Sequence, residues 1–286
     1  MQSTTFSPIK INLSLRIFSP LPGGYHEIFS LFWKKNSSER LTISYNCAEI
    51  TEDFLTVEGC LIDGENLVSR ALKAARERNG DIPPLSICLE KAFPPGSGIG
   101  AGSGNAAALL RWLKEKYLFS MSGKETGTLG ADTAFLASDH ELAFAEGIGD
   151  ILSDAGEAPK LGWLLVFPKW ASNTREAYAK LDEFRLNGAP EITHEDVAAE
   201  SRDLLIRLRE GKRVGRTPND FMPILAAEHP EYEAAEAAAD ESGALGWGLC
   251  GSGSAFFALY DDIERARSAR KIFERENWVI KTHYVE

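Results

Sequence analysis

PPGSGIGAGSGNAA, residues Pro94 to Ala107, is the stretch on which the reading of the fold turns. Gly96, Gly98, Gly100, Gly102 and Gly104 stand at every second position, and glycine lets a backbone take positive φ and approach a ligand closely. Ahead of them Leu85 to Leu89 reads as a strand; behind them Asn105 to about Tyr117 is rich in Ala and Leu and reads as a helix. Strand, glycine loop, helix is the order of a phosphate cradle, because free N–H groups and the positive end of the helix dipole face the loop. A flexible surface loop is the competing reading, but such loops rarely sit between a clear strand and a clear helix. No GxxxxGKS/T occurs, which excludes a Walker A loop. Gly102, Gly104 and Ala107 match GxGxxA, yet Phe119 to Gly127 is no strand ending in an acidic residue, so a dinucleotide site is a weak competitor.

Around this loop the chain has 286 residues, 44% hydrophobic and 26% charged, which is ample for a core and long for one compact domain. A net charge of −11 argues against a broad nucleic-acid-binding face; phosphorylated ligands then need local donors. Cys47, Cys60, Cys88 and Cys250 form no CxxC pair and the five histidines no HExxH pattern, so neither a structural metal nor a disulfide framework is expected. The start MQSTTFSPIKINL has no export pattern, and the longest apolar run, around Trp163 to Phe167, is too short for a bilayer. The expectation is a cytoplasmic enzyme with no membrane contact.

Further along, the first forty residues alternate apolar and polar positions about a Pro22-Gly23-Gly24 turn. From Asn66, a plausible N-cap, Leu67, Val68, Ala71, Leu72 and Ala75 repeat at helical spacing up to a stop at Gly80. A boundary is expected after Gly156 to Lys160, giving domains 1–158 and 159–286, with a strand at Leu161 to Phe167. Helices are expected near Glu176 to Phe184, Glu195 to Arg209 and Asp220 to Ala239. Two strands then flank Gly251-Ser252-Gly253, followed by an amphipathic helix with Ile263, Ala266, Ile272 and Phe273 and a last strand near Trp278 to Tyr284. Strands and helices without strict alternation indicate an α+β protein.

The glycine loop also resembles the PxxxGLGxxS signature of the GHMP kinase superfamily, with Ile99 in the leucine's place. SPIKINL (Ser7 to Leu13), GGYHE (Gly23 to Glu27) and GLCGSGSAFF (Gly248 to Phe257) resemble its other signatures, and GGYHE points to its diphosphocytidyl-methylerythritol kinase family. ENLV (Glu65 to Val68), LEKAFP (Leu89 to Pro94), GAD (Gly130 to Asp132), AEGIGDIL (Ala145 to Leu152), the Thr174 to Tyr178 spacing and Asn219-Asp220 follow in that family's order. Three positions depart from it: Gly104 replaces a second serine, Cys250 a serine and Gly23 an aspartate. The connection from Asn105 to Gly130 is also shorter. A Gly104→Ser change separates a local loss of hydroxyl from a repacked loop.

The resemblance implies an α+β, two-domain GHMP kinase fold: an amino-terminal domain like domain 2 of ribosomal protein S5 and a ferredoxin-like carboxy-terminal domain, with the active site in the cleft between them. It implies ATP and Mg²⁺ as cofactors, and as partner a small-molecule substrate carrying a cytidine diphosphate, for a monomer or homodimer. Lys10 and Asp132 are then the catalytic pair; on spacing alone they read as a solvated strand lysine and a helix cap. Asn66, Lys91, Pro95, Gly96, Gly98, Gly100, Gly102 and Ser103 are implied to hold the nucleotide. Asn12, Tyr25, His26, Thr174, Tyr178, Gly251 and Ser252 are implied to hold the acceptor, with Tyr25 and Tyr178 stacking on cytosine and His26 reading its edge. The alternatives are a sugar, homoserine or mevalonate-type GHMP kinase, or a non-catalytic GHMP-fold binding protein.

Overall fold

A computed structural model of the chain describes residues 1–21, 23–60, 64–79, 81–186, 188 and 192–285, which divide into two compact units. Pro22 and Gly80, expected at a turn and a helix stop, lie outside the described residues. Among those described, no helix is long and apolar enough to cross a membrane.

Unit one comprises Met1–Lys10, Lys34–Pro95 and Gly100–His140. It takes the first part of β1 (Gln2–Pro20) and the second part of β2 (His26–Ser44), with β3 (Phe54–Glu58) and β4 (Ser86–Glu90). β2 pairs antiparallel with β4, Arg40 opposite Glu90 through Ser44 opposite Ser86, and β3 adds parallel to β4. Alternation along β2 and β4 sends Leu41, Ile43, Ile87 and Leu89 to one face. Against that face lie Val68, Ala71, Leu72 and Ala75 of α1 (Leu67–Arg78) and Leu109, Leu110 and Leu113 of α2 (Ala101–Tyr117). Each such aliphatic side chain stabilises by about 1.5–3 kcal/mol on full burial. α1 starts as its sequence indicates: Asn66 has extended φ and ψ, and its Oδ1 accepts from the Val68 N–H at 2.8 Å.

The second helix begins earlier than expected. Gly100 is its N-cap, at φ 69° and ψ 21°, so Ala101 to Gly104 already wind as its first turn. Gly104 permits this, because a Cβ there would lie 1.8 Å from the Pro8 carbonyl oxygen of β1. The missing serine is therefore not a local loss of hydroxyl: β1 occupies its place. The short connection to Gly130 holds α3 (Gly123–Gly127), whose Ser122 and Glu125 form a reciprocal capping box. The Ser122 backbone and hydroxyl, with Arg78, pull the Glu125 carboxyl down to about 2. α4 (Thr133–Ala137) follows at once.

Unit two comprises Ile11–Trp33, Gly96–Ile99 and Glu141–Glu286. Ser30 to Trp33 of β2 pair antiparallel with β5 (Leu142–Glu146), and β5 with β6 (Ile151–Asp154). A five-stranded sheet has the order β11-β7-β10-β9-β8, from β7 (Gly162–Pro168), β8 (Gly215–Arg216), β9 (Gly246–Leu249), β10 (Phe256–Tyr260) and β11 (Val279–Val285). β7 is buried along its whole length, as an unbroken apolar run requires. The helices are α5 (Thr174–Leu186), α6 (His194–Arg209), α7 (Met222–Glu228), α8 (Glu231–Glu241) and α9 (Ile263–Phe273). The single helix expected over Asp220 to Ala239 is two, α7 and α8, divided at Pro230. Proline has no N–H to continue the ladder and its ring clashes with the preceding turn, so it begins a helix better than it continues one.

Gly104→Ala places a methyl group against a backbone oxygen that cannot rotate away. It should destabilise the protein by about 1–3 kcal/mol, the usual cost of overpacking, read as a lower urea midpoint at unchanged m-value. An unchanged midpoint would show that β1 yields to the helix.

Candidate active site

In unit one Lys10 and Asp132 meet. The Lys10 side chain is 4% exposed and its Nζ lies 3.5 Å from Asp132 Oδ2. Lys10 is no solvated strand lysine, since β1 is buried continuously from Ser7 to Leu15. Asp132 occupies the N-cap position of α4, but its carboxylate makes no capping hydrogen bond and turns to the ammonium. An ammonium withdrawn from water needs such a partner, because burying a charge alone costs several kcal/mol.

Gly100, at the end of the glycine loop, stands beside this pair. Gly96, Gly98 and Gly100 all have positive φ, at 68°, 75° and 69°, a conformation glycine adopts without penalty. A Cβ on Gly100 would stand 3.0 Å from Asp132 Oδ2 and 3.1 Å from Leu136 Cδ1, so the backbone at Gly100 passes close to the carboxylate. Ser103, in the first turn of α2, points its Oγ towards Gly130. Asn66 uses its Oδ1 to cap α1, while its Nδ2 is buried without a partner. The Lys91 Nζ is 3.1 Å from Glu39, a fully buried carboxylate that also accepts from the Ala92 and Phe93 N–H groups. Glu39 was not anticipated from sequence; it anchors the segment that leads into Pro94 and Pro95.

In unit two Gly96 to Ile99 dock on the turn between β9 and β10. The Gly96 carbonyl accepts from Ser172 and Ser254, and Ser97 from Ala255. A Cβ on Gly98 would lie 1.8 Å from the Cys250 carbonyl oxygen. The Gly251 carbonyl accepts from Asn219 Nδ2 at 2.9 Å, and Ser252 Oγ lies 3.0 Å from Thr174 Oγ1. Asn12 is buried and donates to Ser30 Oγ. His26 is also buried, with Nε2 2.8 Å from Asp182 Oδ1 and its ring stacked 4.7 Å from that of Tyr178. Tyr25, by contrast, is 64% exposed. Asp182 was not singled out from sequence; its only signal is a place one helical turn beyond Tyr178 on α5.

The family models for the GHMP kinases N terminal domain and the GHMP kinases C terminal domain match residues 66–152 and 205–280. A 4-diphosphocytidyl-2-C-methyl-D-erythritol kinase of Chloroherpeton thalassium is 32% identical over 274 residues, covering 93% of this chain and 92% of its own. That of Nitratidesulfovibrio vulgaris is 34% identical over 289 residues, with 93% of both chains covered. The chain belongs to this kinase family. A crystal structure of 4-(cytidine 5'-diphospho)-2C-methyl-D-erythritol kinase superposes with a TM-score of 0.79 at 27% identity, covering 99% of this chain and 98% of that one. A homoserine kinase of Cytophaga hutchinsonii, at 18% identity and a TM-score of 0.67, shares the fold. This small-molecule kinase has the α+β, two-domain GHMP fold, and as a kinase it takes ATP as phosphate donor.

Gly98 and Gly102 differ in what a side chain at each would meet. Gly98→Ala meets backbone at 1.8 Å and should lower the melting temperature. A Cβ on Gly102 meets only Leu67 Cδ1, at 3.7 Å, so Gly102→Ala should be neutral or stabilising by up to about 1 kcal/mol, as alanine for glycine is within a helix. It should nonetheless weaken ATP binding about tenfold by holding phosphate off the backbone. Equal ATP affinity in Gly102→Ala and wild type, by titration calorimetry, would place the cradle elsewhere.

Proposed function

We propose that this kinase transfers the γ-phosphoryl group of ATP to the 2-hydroxyl of 4-diphosphocytidyl-2-C-methyl-D-erythritol, in non-mevalonate isoprenoid precursor biosynthesis. The observation that carries the reading is the Lys10–Asp132 pair beside Gly100. A carboxylate there can take or orient the proton of the attacking hydroxyl, and a buried ammonium can orient that carboxylate and stabilise charge on the transferring group. In the reaction the bond from the γ-phosphorus to the bridging oxygen breaks as one forms to the acceptor oxygen. ADP leaves, and the hydroxyl proton passes to Asp132. Positioning and electrostatics supply most of the acceleration in such transfers.

An acidic protein meets polyphosphate here through backbone N–H groups at the start of α2, and the unpartnered Asn66 Nδ2 offers the nucleotide a further buried donor. The Ser103 hydroxyl is a hard oxygen donor of the kind Mg²⁺ takes together with phosphate oxygens and water, so it fits the ion. Bound there, it would neutralise phosphate charge. For the acceptor, His26 with Tyr178 and the exposed ring of Tyr25 provide a polar edge and aromatic faces suited to a pyrimidine. Purified protein with ATP, Mg²⁺ and a panel of alcohol acceptors, followed by ADP release, tests the assignment. Preference for a sugar, homoserine or mevalonate over the cytidine-bearing acceptor would refute it.

Asp132→Asn and Lys10→Ala should each lower kcat about a hundredfold or more while ATP still binds, the size of a lost proton-transfer or electrostatic contribution. Wild-type turnover in either folded variant would remove the pair from the chemistry. Tyr25→Ala should raise the acceptor KM about tenfold, from a stacking contribution of about 1–3 kcal/mol, with the KM for ATP unmoved. Parallel changes in both KM values would make Tyr25 a packing residue instead.

A further inference from the structure

Thr133 stands next to Asp132 at the start of α4, fully buried, and its Oγ1 has no hydrogen-bond partner. Unpaired buried hydroxyls are uncommon, because each gives up its water without replacement, and a valine of nearly the same shape avoids that loss. The surroundings of this oxygen are specific. A Cβ on Gly130 would fall 2.8 Å from Ser103 Oγ, 3.1 Å from Thr133 Oγ1 and 3.3 Å from Leu67 Cδ1. The absence of a side chain at Gly130 therefore keeps open a small volume bordered by two hydroxyls and an apolar wall. Leu67 offers neither hydroxyl a competing partner. A second hydroxyl cannot come from position 104, where the Pro8 carbonyl oxygen fills the space.

We infer that Thr133 is a positioning residue for Ser103. In the nucleotide-bound site the Thr133 O–H donates to Ser103 Oγ across the gap at Gly130, and Ser103 donates its own proton to a phosphate oxygen. Such a chain of hydroxyls holds Ser103 in one rotamer and strengthens its donation, since each hydrogen bond polarises the next. The inference rests on the reading that Ser103 serves the phosphates of ATP. It does not depend on the identity of the acceptor. In the free protein the Thr133 hydroxyl then waits unpaired next to the gap at Gly130.

The test is a double-mutant cycle of Thr133→Val and Ser103→Ala in the full chain, read by the affinity for the non-hydrolysable analogue β,γ-imido ATP and by thermal melting. Thr133→Val should melt at the same or a higher temperature, because it deletes an unsatisfied hydroxyl, and yet bind the analogue about tenfold more weakly. Thr133→Ser should bind like the wild type. On the Ser103→Ala background Thr133→Val should cost nothing further, as required of a residue that acts through another. Unchanged affinity in Thr133→Val, an equal loss on both backgrounds, or a lowered melting temperature would each overturn the proposal, as would failure of the wild type to bind the analogue. Because no acceptor is present, a wrong acceptor assignment leaves this outcome readable.

Discussion

An ammonium group that is almost wholly removed from water must have a counter-charge nearby, and much of unit one follows from the way Lys10 meets that requirement. Its strand is buried on both faces, so the side chain cannot reach solvent, and Asp132 supplies the carboxylate at 3.5 Å. In doing so the Asp132 side chain forgoes capping its own helix, and Gly100 leaves room beside it. A pair of this kind contributes little to stability, since desolvation offsets most of the Coulomb gain. In the reaction proposed above, such a pair would hold two opposite charges where water competes weakly.

Steric exclusion orders the loop as firmly as charge orders the pair. Gly98 lies against the Cys250 carbonyl and Gly104 against that of Pro8, at separations a methyl group cannot share. Both contacts are backbone to backbone, so no rotamer change relieves them. Gly102 differs, having no such neighbour and ordinary φ. The alternate glycines of one motif are thus not equivalent: some allow the chain to pack on itself, and Gly102 stands where a side chain would meet only Leu67 Cδ1.

Elements with a clean period were legible without coordinates. α1 and its Asn66 cap, β4, β7, α9 and β11 lie close to where hydrophobic repeat and capping chemistry put them. Failures had local physical causes. Glycine's low helix propensity hid the first turn of α2, where tertiary contact overrides it, and Pro230 divided a pattern that remained helical on either side. The site was legible as motifs and not as geometry. Nothing in the spacing of Lys10 and Asp132 indicates that they touch, and on spacing alone both had ordinary surface readings. Glu39 and Asp182 went unnoticed because their partners, Lys91 and His26, are distant in sequence and neither carboxylate belongs to a motif.

Folded chains pair nearly all their buried polar atoms, yet among the described residues of unit one Ser7 Oγ, Asn66 Nδ2, Asn105 Oδ1, the Tyr117 hydroxyl and Thr133 Oγ1 are unpaired. Asn66 caps the helix after β3, Asn105 follows Gly104 on α2, Thr133 follows Asp132 and Ser7 opens the stretch of β1 that carries Lys10, so four of the five lie in motifs around Gly100 and the charged pair, with Tyr117 apart at the end of α2. A core chosen for stability alone would place apolar side chains at such positions. Hydrogen-bonding capacity left unspent in the free protein is instead available when a polar ligand arrives, and the desolvation cost has by then already been met in folding. In an acidic chain that cannot attract polyphosphate through net charge, this pre-organisation, together with the N–H groups at the head of α2, gives a physical basis for nucleotide affinity.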